Sequence, residues 1–438
     1  MLDKEKENNP DFNGGIDPND PLKESADLEL KSEEKEFAEI ESSDEGIDTV
    51  DNFVVKSVKK ILTDSVDKRA SDIFVEPLED CIRVRYRVDG LLIDAGQYPI
   101  DNLSGFVSRL KVLANLDIAE HRFPQDGRFR IRYKERFVDF RTSTLPSSLG
   151  EKVVLRVLDK GSVKIDLDSL GFDQASLDKI KRNLKKPYGM ILVCGPTGSG
   201  KTTTLYSCLQ AIDSPDINVV TVEDPIEYQF FGVNQVAVKE RIGLTFASVL
   251  RSILRQDPDV IMIGEIRDFE TADIAVKASL TGHLVLSTLH TTTATGAIVR
   301  FINMGIEPFL VASSCLVAAS QILLRKLCSH CKEQSEVSDS LKKELERNNM
   351  SVTAKSKIYK PVGCRFCNNT GYSGRVGIIE TVEITPAIRE LLVKKATEKE
   401  LRKLAISEGM RRLREKALDR VLSGDTTIEE VVRTTSKD

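Results

Sequence analysis

The sequence predicts an α/β protein built around a parallel sheet, with a smaller α+β domain ahead of it, and three observations carry that prediction. Short continuous apolar stretches, Met190–Cys194, Val219–Val222 and Val260–Ile263, alternate with stretches of helical period. That pattern belongs to parallel strands buried on both faces by helices. A glycine-rich segment joins the first of these strands to the next helix, as phosphate-binding loops do. Upstream, between Asp51 and Leu158, apolar and polar residues alternate in short runs, which reads as the smaller domain.

The length of 438 residues exceeds one ordinary domain, and 40% apolar with 30% charged residues is the composition of a globular protein. Charge is unevenly spread. Residues 1–48 hold 5 Lys/Arg against 17 Asp/Glu, a net of −12; the remaining 390 residues hold 58 against 51, a net of +7. The first 48 residues have few large apolar groups and no sustained period, so they read as a disordered acidic tail. The opening Met1-Leu2-Asp3-Lys4-Glu5 has no apolar core, so no secretory leader is expected. The longest apolar run, Pro308 to Leu324, is broken by Ser313, Ser314, Ser320 and Gln321 and is too short for a membrane span. It reads as a buried helix.

In the small domain, assigned to 49–160, helical spacing from Phe53 to Ile61 precedes strands at Asp72–Val75, Cys81–Val88, Leu91–Gln97, Arg128–Tyr133 and Arg136–Thr142, with a helix at Asn102–Leu116 among them. The core domain, 161–327, adds helices at Lys201–Ile212, Phe246–Leu254 and Thr271–Leu280 and a strand at Leu284–Ser287. Residues 328–380 form a cysteine-bearing module. From Thr385 as N-cap and Pro386 as first helical residue, 381–438 read as short helices.

Gly195-Pro196-Thr197-Gly198-Ser199-Gly200-Lys201-Thr202 is a complete GxxxxGK[ST] loop between a strand and a helix. Its backbone N–H groups and the helix N-terminus suit the phosphates of ATP. Lys201 would neutralise the β/γ oxygens, the Thr202 hydroxyl would hold Mg²⁺, and Thr203 completes the binding set. Val260–Ile263 ends in Gly264-Glu265, which puts an acid at the metal side. Thr221-Val222-Glu223-Asp224-Pro225-Ile226-Glu227 puts three carboxylates past another strand end. Ligands of open α/β sheets sit at the strand carboxyl ends, so both clusters are expected beside the loop. His283 and His290 flank the strand between them and are expected to act as a phosphate sensor or polar relay.

With these elements in one order, the chain resembles the type II secretion and type IV pilus-assembly ATPase family. The resemblance runs from about Asp51 to Thr435. It takes in the boxes above, Leu254-Arg255-Gln256-Asp257-Pro258-Asp259, Gly264-Glu265-Ile266-Arg267-Asp268, Gln125-Asp126-Gly127-Arg128, and Gly371, Gly374 and Gly377. It implies a RecA-like P-loop core after a PAS-like small domain, a homohexameric ring with ATP between the two, and an inner-membrane platform protein as partner. It further implies a cytoplasmic location with membrane contact through partners, Glu223 as general base, Glu265 at Mg²⁺, His283 and His290 on the γ-phosphate side, and Arg128 and Arg141 as arginines that reach the nucleotide. Arg83, Arg85 and Arg87, like Arg128, Arg130 and Arg132, alternate along strands, a pattern that also fits a solvated face. Three features depart from the family pattern: the acidic tail stands where larger members carry an extra domain, Phe74 replaces a histidine, and Thr291-Thr292-Thr293 replaces Thr-Asn-Asp.

Cys328-Ser329-His330-Cys331 and Cys364-Arg365-Phe366-Cys367 form two CxxC knuckles. Four thiolates suit one closed, structural Zn²⁺ site, and the module agrees with the assembly branch of the family. The acids Glu336, Asp339, Glu344 and Glu346 between the knuckles are a poor match to a nucleic-acid backbone, so no direct nucleic-acid contact is expected. Two other functions stay open at this point: a nucleic-acid translocase or DNA-uptake motor of the same P-loop class, and a non-enzymatic, nucleotide-gated scaffold.

Overall fold

The computed structural model describes residues 50–159, 166–212, 214–353 and 356–435; the acidic tail 1–48 lies outside the described residues. The chain divides into two compact units, Met1–Ser162 and Val163–Asp438.

The first unit contains α1 (Val50–Asp67), β1 (Ala70–Pro77), β2 (Cys81–Val88), β3 (Leu91–Pro99), α2 (Leu103–Leu113), β4 (Gln125–Tyr133), β5 (Arg136–Ser147) and β6 (Gly150–Asp159). The strands form an antiparallel sheet in the order β3-β2-β1-β6-β5-β4. Val58 and Leu62 of α1 and Phe106 and Leu110 of α2 pack on Ile73, Val84, Phe140 and Leu155 of the sheet. The sequence reading lacks β6. Val153 and Leu155 point to the core, but Val154 between them faces outward, so the apolar–polar alternation is blurred there.

The second unit begins with α3 (Gln174–Leu184), β7 (Gly189–Cys194), α4 (Lys201–Ile212), β8 (Val219–Glu223), β9 (Asn234–Ala237), α5 (Phe246–Ile253), β10 (Val260–Ile263), α6 (Phe269–Leu280) and β11 (Leu284–Leu289). It continues with α7 (Ala294–Asn303), α8 (Pro308–Ser314), β12 (Cys315–Leu327), β13 (Glu333–Gln334), α9 (Asp339–Arg347), β14 (Tyr359–Lys360) and β15 (Tyr372–Glu383), then α10 (Pro386–Val393), α11 (Glu398–Ser407), α12 (Leu413–Leu422) and α13 (Ile428–Thr434). The main sheet has the order β15-β12-β7-β11-β10-β8-β9. On β7, Met190, Leu192 and Cys194 face one apolar cluster, and Ile191 and Val193 face another. A strand buried on both faces has no period of two to display, which is why it reads as a continuous apolar run.

Two expectations are corrected here. The run Pro308–Leu324 is not one buried helix: only Pro308–Ser314 is helical, and Cys315–Leu327 is a strand between β7 and β15. Periodicity alone cannot separate a buried helix from a buried strand. The sheet is also not wholly parallel. β15 pairs antiparallel with β12, bringing a strand that follows the second cysteine knuckle into the core.

Candidate nucleotide site and metal centre

The parallel register sets which residues share an end of the sheet. Leu289 of β11 lies opposite Cys194 of β7, and β10 pairs with both β8 and β11. The phosphate loop, the acidic box after β8, Glu265 after β10 and His290 after β11 therefore emerge at the same, carboxyl end, where such sheets bind ligands.

Within the loop, Gly195 and Ser199 are buried, while Pro196, Thr197, Gly198 and Thr202 are exposed; Gly200 and Thr203 are half-buried. Lys201 is 9% exposed, and its Nζ donates to the carbonyls of Gly195 (2.9 Å) and Pro196 (3.0 Å). Burial lowers the pKa of this ammonium below its ordinary value. The buried Ser199 Oγ has no hydrogen-bond partner among the described residues, a polar position left open inside the loop. A cation turned into the curl, an orphaned hydroxyl and an exposed Thr202 fit a phosphate chain with its magnesium.

Glu265 is tied to His290, whose Nε2 lies 2.9 Å from Oε2, and to Arg267 by an ion pair. The Thr288 hydroxyl donates to the Gly264 carbonyl at 2.7 Å and the Ile266 N–H to the Thr288 carbonyl at 3.1 Å, which locks the ends of β10 and β11 together. Glu223 is 2% exposed. Its carboxylate accepts hydrogen bonds from the hydroxyl of Tyr206, from Thr221 Oγ1 (2.6 Å) and from Gln235 Nε2 (2.9 Å). Three donors and its burial hold it in place away from bulk solvent.

His283 is not at this end. Leu284 pairs with Gly189, so His283 precedes β11 at the amino end of the sheet, where its Nδ1 lies 2.9 Å from the Ala278 carbonyl. Six strand residues, roughly 20 Å at 3.3 Å each, separate it from His290. The two histidines expected to act together therefore lie at opposite ends of the sheet, and only His290 shares the end that carries the phosphate loop.

Arg128 and Arg141 are cross-strand partners on β4 and β5, and Arg141 is in turn paired with Arg156 of β6. Directly opposed residues share a face, so three guanidiniums form a row across the sheet. The row borders an open groove of about 560 Å³ lined also by Asp126, Thr142 and Ser143. At its end Arg156 Nε donates to Asp72 Oδ1 at 3.2 Å.

The four module cysteines come together: their Sγ atoms all lie within 4.8 Å of one another. Cys331 Sγ accepts the Gly363 N–H (3.3 Å), and Cys367 Sγ accepts the N–H groups of Cys364 and Gly371 (3.2 Å each). Burial pushes the Cys367 thiol up, but these N–H bonds outweigh it and hold the group at about 7. Four clustered sulfurs with N–H···S support fit a tetrahedral zinc ion.

The sequence reading missed Arg156, Tyr206 and Gln321. Arg156 needed β6 and its register, and Tyr206 sits in a helix with no pattern to mark it. Gln321 did carry a signal, as a polar residue inside an apolar run.

A protein-family model described as "Type II/IV secretion system protein" matches residues 48–433. The chain is 49% identical over 416 residues to the type IV pilus assembly ATPase PilB of Myxococcus xanthus, covering 94% of this chain and 72% of that protein. It is 47% identical over 401 residues to the type II secretion system protein E of Aeromonas hydrophila, covering 91% and 79%. Among solved structures, the Legionella pneumophila ATPase DotB superposes with a TM-score of 0.63 at 19% identity, over 90% of this chain and 98% of that one. The pilus retraction motor PilT with bound ADP gives 0.56 at 24% identity, over 86% and 96%; both likenesses concern the fold. The match over nearly the whole chain, with the phosphate loop and the acids gathered at one end of the sheet, makes this protein a member of the type II/IV secretion system protein family.

Proposed function

We propose that the chain is the ATP-hydrolysing motor of a type II secretion or type IV pilus assembly system. It works as a homohexamer at the cytoplasmic face of the inner membrane and acts on a membrane-embedded platform protein. The observation that carries this reading is the shared sheet end of Lys201, Glu265 and His290. The names of its relatives supply the biological setting. Among the described residues no helix is long and apolar enough to cross a membrane, which agrees with membrane contact through a partner.

In this reading Gly195–Thr203 hold the phosphates and Lys201 leaves its two loop carbonyls for the β/γ oxygens. Magnesium, when bound, neutralises charge on the leaving phosphates; Thr202 and Glu265 are the residues that would hold it. Glu223, held by its three donors, orients and deprotonates the attacking water. Arg128 and Arg141 are the candidates in the small unit for stabilising charge on the transferred group. Zinc at Cys328, Cys331, Cys364 and Cys367 is structural.

The test is ATP turnover by the full chain. Lys201→Ala is expected to abolish nucleotide binding and hydrolysis, and unchanged affinity and rate would remove the phosphate-loop assignment. Stimulation by DNA of several-fold would replace the secretion reading with a nucleic-acid translocase. Co-purification with an inner-membrane platform protein from detergent extracts is the expected partner result.

A further inference from the structure

Gln321, with Ser320 before it, interrupts the apolar run of β12 in the core. It is 2% exposed. Its Nε2 donates to the Ser199 carbonyl at 2.8 Å, and its Oε1 accepts from Thr204 Oγ1 at 2.7 Å. One partner lies within the phosphate loop and the other in the first turn of α4. Register explains the placement. Ser320 of β12 pairs with Cys194, the last residue of β7, so Gln321 falls beside the first residue of the loop. A Cβ at Gly195 would sit 2.3 Å from the Gln321 carbonyl oxygen, at a φ of +147°, and one at Gly200 would sit 2.9 Å from Gln321 Nε2, at +88°. Two of the three loop glycines are therefore demanded by β12 as well as by a ligand; Gly198, at +76°, faces open space. On the opposite face of β12, Ser320 Oγ donates to the Thr292 carbonyl at 2.8 Å, two residues past His290.

We propose that Gln321 is a positioning residue for nucleotide binding, one that clamps the phosphate loop in its phosphate-accepting curl through Ser199 and Thr204. A loop presenting its N–H groups inward loses backbone entropy before the ligand arrives. A buried amide that fixes one carbonyl in the loop and one hydroxyl at the helix start meets that cost within the fold, so the phosphates find the curl already made. The amide serves both because it carries a donor and an acceptor on one rigid group, where a thioether has no donor and a carboxylate only acceptors. The clamp rests on the phosphate-loop reading given above.

The test measures affinity of the full chain for a fluorescent ADP with magnesium, alongside KM and kcat for ATP. Gln321→Met keeps the length and removes both bonds; Gln321→Glu keeps the acceptor alone; Thr204→Val removes the second contact, along with the Thr204 hydroxyl's bond to the Gly200 carbonyl (3.2 Å), and leaves the first. The clamp predicts at least ten-fold weaker binding in Gln321→Met and Gln321→Glu and about three-fold in Thr204→Val. KM should rise and kcat stay within two-fold, since Glu223 and Glu265 do not touch Gln321. Affinity within two-fold of the parent in both Gln321→Met and Thr204→Val overturns the proposal. Should Gln321→Met fail to fold, Thr204→Val decides alone by the same limits. Lys201→Ala separates the two readings: if it loses affinity and the Gln321 variants do not, the clamp falls and the phosphate loop stands.

Discussion

His290 Nε2 and Glu265 Oε2 lie 2.9 Å apart across the ends of β11 and β10, so the acid proposed to hold magnesium is oriented by the histidine one strand away. Glu265→Gln keeps the shape and removes the charge. Its turnover is expected to fall on the order of 100-fold, with ATP affinity retained. His290→Ala, which removes only the orienting contact, should fall about ten-fold. Steady-state phosphate release with nucleotide binding measured in parallel checks both, and equal rates in Glu265→Gln and the parent would take Glu265 out of the chemistry.

The two loop glycines 195 and 198 should respond differently to the same substitution. Gly195→Ala drives a methyl against the Gln321 carbonyl oxygen, and Gly198→Ala enters open space. Without nucleotide, Gly195→Ala is expected to cost about 3 kcal/mol through overpacking and backbone strain. Gly198→Ala should cost about 1 kcal/mol, for the left-handed conformation alone. Urea unfolding of the two variants gives the comparison.

Acid should loosen the carboxyl-terminal helices. Glu430 of α13 is fully buried and accepts from Arg325 Nε (3.0 Å) and Nη2 (2.9 Å) and from Arg433. Burial pushes its carboxyl up, but hydrogen bonds from Arg433 and Arg325 outweigh this and hold it below the ordinary 4.5. A folded value below the unfolded one gives stability that is complete above the unfolded pKa and disappears as pH falls below it. The melting temperature should therefore hold from neutrality to about pH 5 and drop below about 4.5. Glu430→Ala, which strands Arg325, should cost about 3 kcal/mol at neutral pH.

The tetracysteine cluster predicts one zinc per chain. Cys364→Ser or a strong chelator should remove it, and amides at Leu341 and Leu345 of α9 should then exchange faster, because metal-binding energy in such modules is folding energy. Elemental analysis with hydrogen-exchange mass spectrometry reads both. Full retention of zinc in Cys364→Ser would break the assignment.

Local chemistry made much of this legible. The loop 195–202 and helix Lys201–Ile212 follow from glycine spacing and helical period, and strand Val260–Ile263 from its unbroken apolar run. What stayed hidden depends on which strand lies beside which. His283 and His290 are equally prominent in the sequence, and only the parallel register of β11 assigns them to opposite ends of the sheet. Gln321 was visible as a break in the run 308–324, but its meaning required that run to be a strand next to β7. Arg128 alternates with Arg130 and Arg132 like any solvated face; the alignment of Arg128 and Arg141 with Arg156 comes from pairing across three strands.

Leu327 and Tyr372, the residues that bracket the cysteine module, are themselves strand partners on β12 and β15. The module is thus an insertion at the tip of a hairpin and not an appended domain. Splicing out 328–371 would leave two strand ends already facing each other, close enough for a tight turn. The excision would strip Leu341 and Leu345 from their packing with Leu418 and Val421, so a shortened chain would need polar replacements on α12 before it stayed in solution.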